Sequence, residues 1–232
     1  MVDLTAEMAG LWSALGPSPK GRGRVVMFCS GHRGDGVSTI AREFSRLAAV
    51  RADKPVWLID ADLGNQQQCD EISSQPHRFG RAGQRVAGSP DGACFFTTKS
   101  PLISSAGRPI RPAVLLTAIP FLGKRLYVSH IQTSALAVGQ QLQIVEHSAY
   151  WAALSRYAGT VVVDVPAGDR SSVAELLAPY MDAVVMVVAE GRDVNLSLAF
   201  QARLEMQDAP IKGIVLNRST FKSPWFLNRL MA

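Results

Sequence analysis

Gly31, Gly34 and Gly36, followed by Ser38 and Thr39, have the spacing of a loop that binds phosphate. Residues 31–39 read Gly-His-Arg-Gly-Asp-Gly-Val-Ser-Thr. They fit the pattern G-x-x-x-x-G-K-[ST] except at the lysine, which is Val37. Glycines let main-chain N–H groups converge on phosphate oxygens, and the N-terminus of a following helix adds partial positive charge. A hydroxyl at Ser38 would hold Mg2+, and a lysine would reach the β- and γ-phosphates. Two of these three contributions survive here. The same glycines would serve a plain strand-to-helix turn, so the acidic residues nearby carry weight.

Trp57-Leu-Ile-Asp60-Ala-Asp62 and Val161-Val-Val-Asp164 place three carboxylates at strand ends. In a parallel sheet those carboxyl ends share one edge with the glycine loop, where ligands bind. Asp164 reads as the carboxylate that orients Mg2+ through water, with Asp60 and Asp62 as metal-side or water-positioning groups. Each is also an ordinary helix cap or turn residue, but three beside the loop favour a site. The expected catalytic set is Asp60, Asp62 and Asp164, in vestigial or weak form, and the metal set is Ser38, Asp60 and Asp164. The expected cofactor contacts include Gly31, Arg33, Gly34, Gly36, Val37, Ser38 and Thr39, with ATP or ADP and Mg2+ as ligands. Losing the lysine removes a charge-assisted hydrogen bond of roughly 1.5–3 kcal/mol. That is about one to two decades of affinity. Arg33 lies in the loop and is placed to supply part of the charge. Turnover should suffer more than binding, because lysine stabilises charge that develops during phosphoryl transfer.

The elements that must position these residues are legible in outline. Apolar runs at 25–29, 56–60, 113–118, 126–131, 161–164, 184–188 and 214–217 read as strands. Apolar residues recur at helical spacing in 4–15, 40–50, 142–157, 173–180 and 196–205. Continuous valine runs mark parallel strands covered on both faces, and the alternation of strand and helix gives a doubly wound α/β sheet. Residues 64–112 show no sustained period and many turn formers, and read as loop and irregular structure. A stretch of that length is usually functional or disordered.

The chain has 232 residues, 47% of them hydrophobic, which suffices for one large domain without disulfides or metal. Three segments are expected: an N-terminal helix and linker over 1–23, a nucleotide-binding domain over 24–220 and a short tail over 221–232. The three cysteines, Cys29, Cys69 and Cys94, lack CxxC spacing and read as reduced thiols of a cytoplasmic protein. Asp3 and Glu7 interrupt any signal-peptide pattern, and no apolar run approaches the roughly 20 residues of a membrane span. The net charge of +5 is concentrated: Arg78, Arg81, Arg85, Lys99, Arg108, Arg111, Lys124 and Arg125 share their segment with one acid, Asp91. Such a segment suits acidic lipid, nucleic acid or an acidic partner, or simply a solvated insertion. The apolar tail residues Pro224, Trp225, Phe226, Leu227 and Leu230 read as cover for the domain's own core.

In this order of motifs the chain resembles the deviant Walker-type P-loop ATPases that include ParA, MinD and the bacterial tyrosine kinases. It is most similar to the last group, the cytoplasmic ATPase partners of polysaccharide co-polymerases in capsule and exopolysaccharide export. The match runs through the loop at 31–39, the Leu58-Ile-Asp60-Ala-Asp62-Leu63 element, the strand at 161–166 and Gly213-Ile-Val-Leu-Asn217. The resemblance adds Asp35 and Asn217 to the cofactor set, Asn217 near the base. It implies a membrane polysaccharide co-polymerase of the chain-length and export type as partner, and a peripheral place at the inner face of the cell membrane. Contact there would run through that partner or the basic segment 78–125, a homo-oligomer is admitted, and no nucleic acid is expected.

Four departures point to a degenerate member. Val37 replaces the lysine, and His32 stands where ParA and MinD relatives carry their signature lysine. Residues 221–232 contain no tyrosine, whereas the kinases phosphorylate a tyrosine-rich tail. Glu7 is followed by Gly10 and Ser13 where the kinases' ring-forming helix has two arginines. The expected function is an accessory protein of exopolysaccharide biosynthesis and export, kinase-deficient and weakly nucleotide-binding. The alternatives are an active divergent ATPase or tyrosine kinase and a ParA- or MinD-like positioning ATPase.

Overall fold

The structure is a computed structural model that describes residues 3–97, 100–146 and 148–219. In chain order the strands are β1 (Arg24–Cys29), β2 (Val56–Asp60), β3 (Val86–Ala87), β4 (Phe96–Thr97), β5 (Leu116–Phe121), β6 (Leu126–Ile131), β7 (Gln143–Ile144), β8 (Thr160–Asp164), β9 (Ala183–Ala189) and β10 (Ile211–Asn217). The α-helices are α1 (Thr5–Ala14), α2 (Val37–Arg51), α3 (Gln68–Ser73), α4 (Pro76–Phe79), α5 (Pro112–Leu115), α6 (Ser148–Tyr157), α7 (Val173–Leu177) and α8 (Val194–Glu205).

Eight strands form one sheet in the order β10-β9-β1-β8-β2-β6-β5-β3. The first six in that order run parallel, whereas β5 pairs antiparallel with β6, and β3 with β5. The valine-rich strands β1 and β8 are buried at every residue, as expected of strands covered on both faces. Side chains alternate along β1. Val26 and Phe28 enter a core with Met8, Ile40, Phe44, Ile72 and Phe79, beneath α1, α2, α3 and α4. Met27 and Cys29 enter the opposite core, with Tyr150, Trp151, Leu154 and Phe200 of α6 and α8. The sequence therefore gives the right fold class, an α/β doubly wound and mainly parallel sheet.

Residues 64–112 depart from expectation. They hold α3, α4, β3 and β4, none of which has a local period to betray it. The two residues of β3 are exposed and exist because Val86 and Ala87 pair with Ala118 and Thr117 of β5. β4 pairs with β7, outside the main sheet, and Phe95, just before it, packs against the rings of Phe96, Tyr150 and Trp151. The helix expected over 142–157 accordingly begins only at Ser148, because 143–144 is strand. The strand expected at 113–118 begins at Leu116, since Pro112 starts a helical turn whose fixed φ suits a first helical position.

Part of the basic segment is structural. Arg78 forms a two-pronged pair with Glu43 of α2, at 2.7 and 2.6 Å. Arg125 donates to the carbonyls of Ala49 and Ala52 at 2.6 Å each, closing the C-terminal end of α2. Lys99 and the apolar tail lie outside the described residues. Among the described residues, no helix is long and apolar enough to cross a membrane.

Candidate phosphate-binding site

β1 delivers the chain to the carboxyl edge of the sheet, and the link to α2 turns there through two left-handed glycines, Gly34 (φ +88°) and Gly36 (φ +95°). A side chain at Gly36 would be strained by that φ, and its Cβ would collide with the Asn217 amide nitrogen. Asn217, at the end of β10, donates that nitrogen to the Asp35 carbonyl at 2.7 Å. From the link between β9 and α8, Arg192 donates Nε to Asp35 Oδ1 at 3.0 Å and Nη2 to the Arg33 carbonyl at 3.1 Å. The Arg33 N–H donates to Asp169 at 2.9 Å. Three separate elements thus hold the loop.

Gly36 is the N-cap of α2 and, among the described residues, no side chain caps the helix, which leaves its first-turn N–H groups for an anion. Val37 lies in that first turn with its side chain packed among the α1–α2 core residues. Its position contributes a main-chain amide and no cation.

The acidic wall stands opposite. β2 and β8 pair in a register that sets Asp60 beside Asp164. Asp60 Oδ1 accepts the Asp62 N–H at 3.1 Å, and Oδ2 accepts the N–H groups of Gln67 and Gln68 at 3.0 and 3.1 Å. Both oxygens are thereby engaged by the main chain leading into α3. Asp164 accepts from the Gln68 side-chain amide at 2.6 Å through Oδ2, while its Oδ1 is buried without a partner among the described residues. Burial raises both carboxyls above the ordinary range, and for Asp60 the neighbouring Asp164 raises it further. For Asp164 the Gln68 and Ser38 hydrogen bonds act in the opposite sense. Asp62 Oδ2 pairs with Arg170 at 3.2 Å.

Between the walls lies a cavity of about 240 Å³. Arg33, Gly34, Asp35, Gly36, Val37, Ser38, Thr39, Asp60, Asp62 and Asp164 all line it. Gly31 does not: it sits against Phe200 and Leu196 of α8, where a Cβ would come within 3.3 Å. Asn217 lines a second cavity of about 720 Å³, which shares Gly36 and Thr39 with the first. Among the described residues, no three His, Cys, Asp or Glu side chains are grouped to hold a metal. The hard oxygens of Ser38 and Asp164, one of them an orphan, nevertheless fit Mg2+, which takes one or two protein ligands plus phosphate and water.

No protein-family model matches the chain, and no curated protein matches it. Solved structures do. The kinase domain of VpsO superposes with a TM-score of 0.58 at 18% identity, covering 94% of this chain and 93% of that one. The kinase domain of Escherichia coli tyrosine kinase ETK gives 0.54 at 15%, covering 95% and 76%. The MinC:MinD cell division protein complex of Aquifex aeolicus gives 0.52 at 19%, covering 89% and 72%. The chain has the fold of the P-loop ATPases that include MinD and the bacterial tyrosine-kinase domains.

Within this P-loop fold, three residues beyond the expected site complete it. Arg170 follows β8 and is a cation on the cavity wall. Arg192 clamps the loop from outside. Gln68 bridges the two walls: its Nε2 donates to Asp164 and to the Ser38 carbonyl at 2.9 Å, and its Oε1 accepts Arg42 Nε at 3.1 Å. Only Arg170 left a trace in the sequence, as a basic residue just past a strand-end aspartate. Gln68 and Arg192 left none, because their partners are 96 and 157 residues away.

Proposed function

We propose that the chain is a kinase-deficient accessory protein of exopolysaccharide synthesis and export, binding ATP or ADP weakly at this edge. The observation that carries the reading is Val37: the loop keeps its open helix N-terminus while the lysine position is filled by a side chain turned into the core. The first-turn amides of α2 would receive the phosphates, and Ser38 and Asp164 would hold Mg2+. When bound, Mg2+ would neutralise phosphate charge. Asn217 and the larger cavity beside it would take the nucleoside. The polysaccharide setting rests on the motif resemblance to the tyrosine kinases and on the shared fold. A membrane co-polymerase is the partner that setting supplies, with the chain peripheral at the inner face of the cell membrane.

Calorimetry with MgADP and MgATP, beside a phosphate-release assay, tests the reading. Binding with turnover near background is expected, and turnover at the rate of an intact kinase would overturn it. Val37→Lys should tighten binding by about one to two decades. Arg33 and Arg170 on the cavity wall favour a second reading, an active divergent enzyme. In that case wild-type turnover would be unaffected by Val37→Lys but abolished by Arg170→Ala and by Asp164→Asn.

A further inference from the structure

The amino edge of the sheet is the electrical opposite of the edge that holds Asp60 and Asp164. Arg51 ends α2, Lys54 precedes β2, Lys124 and Arg125 precede β6, and Arg156 lies in the last turn of α6. Parallel pairing brings these ends together. Lys54 Nζ donates to the Arg156 carbonyl at 3.2 Å, the Gly159 N–H to the Pro55 carbonyl at 2.9 Å, and the Val56 N–H to the Arg125 carbonyl at 2.8 Å. The linker before β1 adds Lys20 and Arg22. Arg22, Arg51 and Lys54 line a cavity of about 290 Å³ together with Trp12 of α1. Seven cations thus meet two acids, Asp53 and Asp182, and Asp182 already holds Arg22. Arg125 and Lys54 serve main-chain carbonyls, whereas Arg51 and Lys124 are exposed and have no partner among the described residues. Two apolar side chains stand in the same patch: Val50 is 68% exposed beside Arg51, and Tyr157 is 64% exposed beside Arg156.

We infer that this edge is a docking surface for an acidic lipid bilayer, with Arg51, Lys54, Lys124 and Arg156 against phosphate head groups and Val50 and Tyr157 entering the interface. A bilayer surface offers both things the patch needs. Its charge attracts the cations, and the boundary below the head groups takes apolar tips, while lysine and arginine keep their charged ends in water. A polyanion such as nucleic acid would use the cations and leave Val50 and Tyr157 in water. The inference deepens the peripheral membrane placement proposed above and rests on it for its biological setting. It moves the contact away from most of the basic segment 78–125, of which only Lys124 and Arg125 belong to this edge. Docked in this way, the chain would turn the phosphate-loop cavity, at the opposite edge of the sheet, away from the bilayer and leave it open to ligand.

Co-sedimentation of the full chain with phosphatidylcholine vesicles, with and without phosphatidylglycerol, tests this directly. Binding should require the acidic lipid and weaken with salt. Arg51→Gln, Lys54→Gln and Lys124→Gln combined should lower the partition coefficient on the order of a hundredfold, about fivefold for each cation. Val50→Ser with Tyr157→Ser should lower it about tenfold at unchanged charge. Arg81→Gln, Arg85→Gln and Arg108→Gln combined remove the same charge elsewhere and should lower it far less. All eight side chains are exposed, and unchanged thermal midpoints would show that the variants remain folded. Equal losses in the two triple variants, or no retention on acidic vesicles, would overturn the inference. Retention on a DNA oligonucleotide without retention on acidic vesicles would overturn it in favour of nucleic acid. ADP calorimetry separates this from the nucleotide reading. A chain that binds ADP and ignores vesicles defeats only the docking surface, and one that binds vesicles and ignores ADP defeats only the nucleotide reading.

Discussion

The two ends of the same sheet treat aspartate in opposite ways. At the amino end, Asp182 stands just before β9 and receives both guanidinium arms of Arg22 at 2.6 Å, together with the Val25 N–H at 2.8 Å. Burial pushes this carboxyl up, but Arg22 and the Val25 amide outweigh it and hold it below the ordinary range. At the carboxyl end, Asp60 and Asp164 sit side by side in register without an arginine between them, and both are raised. Asp182 is satisfied by an arginine and Asp60 by main-chain amides, whereas Asp164 keeps one oxygen without a partner among the described residues. Carboxylates kept in that condition mark functional edges.

The contrast can be broken first at Asp60. Asp60→Ala removes the acceptor of three main-chain amides, two of them at the start of α3, and should cost about 2–4 kcal/mol in chemical denaturation. Asp60→Asn keeps an acceptor oxygen and relieves repulsion with Asp164, so its cost should be under about 1 kcal/mol. Equal losses in the two variants would mean that Asp60 acts by charge rather than as an anchor. Gly36→Ala comes next, at about 1–3 kcal/mol from its left-handed backbone. It should also abolish ADP binding, measured by calorimetry, because the loop would have to move off Asn217.

Asp182→Asn should be milder, about 0.5–1.5 kcal/mol, since Arg22 is partly exposed. ADP binding should not change; a change would link the two ends of the sheet.

The smallest effect is the sign of the pH dependence. A carboxyl raised in the folded state binds more protons there than in the unfolded chain, so Asp60 and Asp164 make stability fall as pH climbs from the ordinary carboxylate range toward neutrality. The lowered Asp182 does the reverse: its contribution is full above the unfolded pKa and is lost on acidification. Metal-free Asp164→Asn should therefore lose less stability between pH 5 and 8 than wild type, and Asp182→Asn should be less sensitive to acid. Thermal midpoints across that range measure both.

Legibility followed distance along the chain. The loop at 31–39 could be read directly, since glycine freedom, the Ser38 hydroxyl and the onset of α2 are all local. The valine runs of β8 and β9 announced buried parallel strands for the same reason. The segment 64–112 could not be read, because α3 is pinned by Asp60 and β3 by β5, and neither tie appears in a neighbouring residue. The helix expected from residue 142 was six residues too long at its start, since the pairing of β4 with β7 overrode local preference.

By itself, then, the order of residues determined a mainly parallel α/β sheet, a phosphate-type loop without its lysine, and aspartates at strand ends. Those features are written in short-range preferences and in patterns of burial. Only the folded chain decided what each aspartate does: Asp60 ties down α3, Asp62 meets Arg170, Asp164 accepts from Gln68, and Asp182 is spent on Arg22. A carboxylate's role depends on which donors the fold brings within about 3 Å of it, and those donors come from distant parts of the chain.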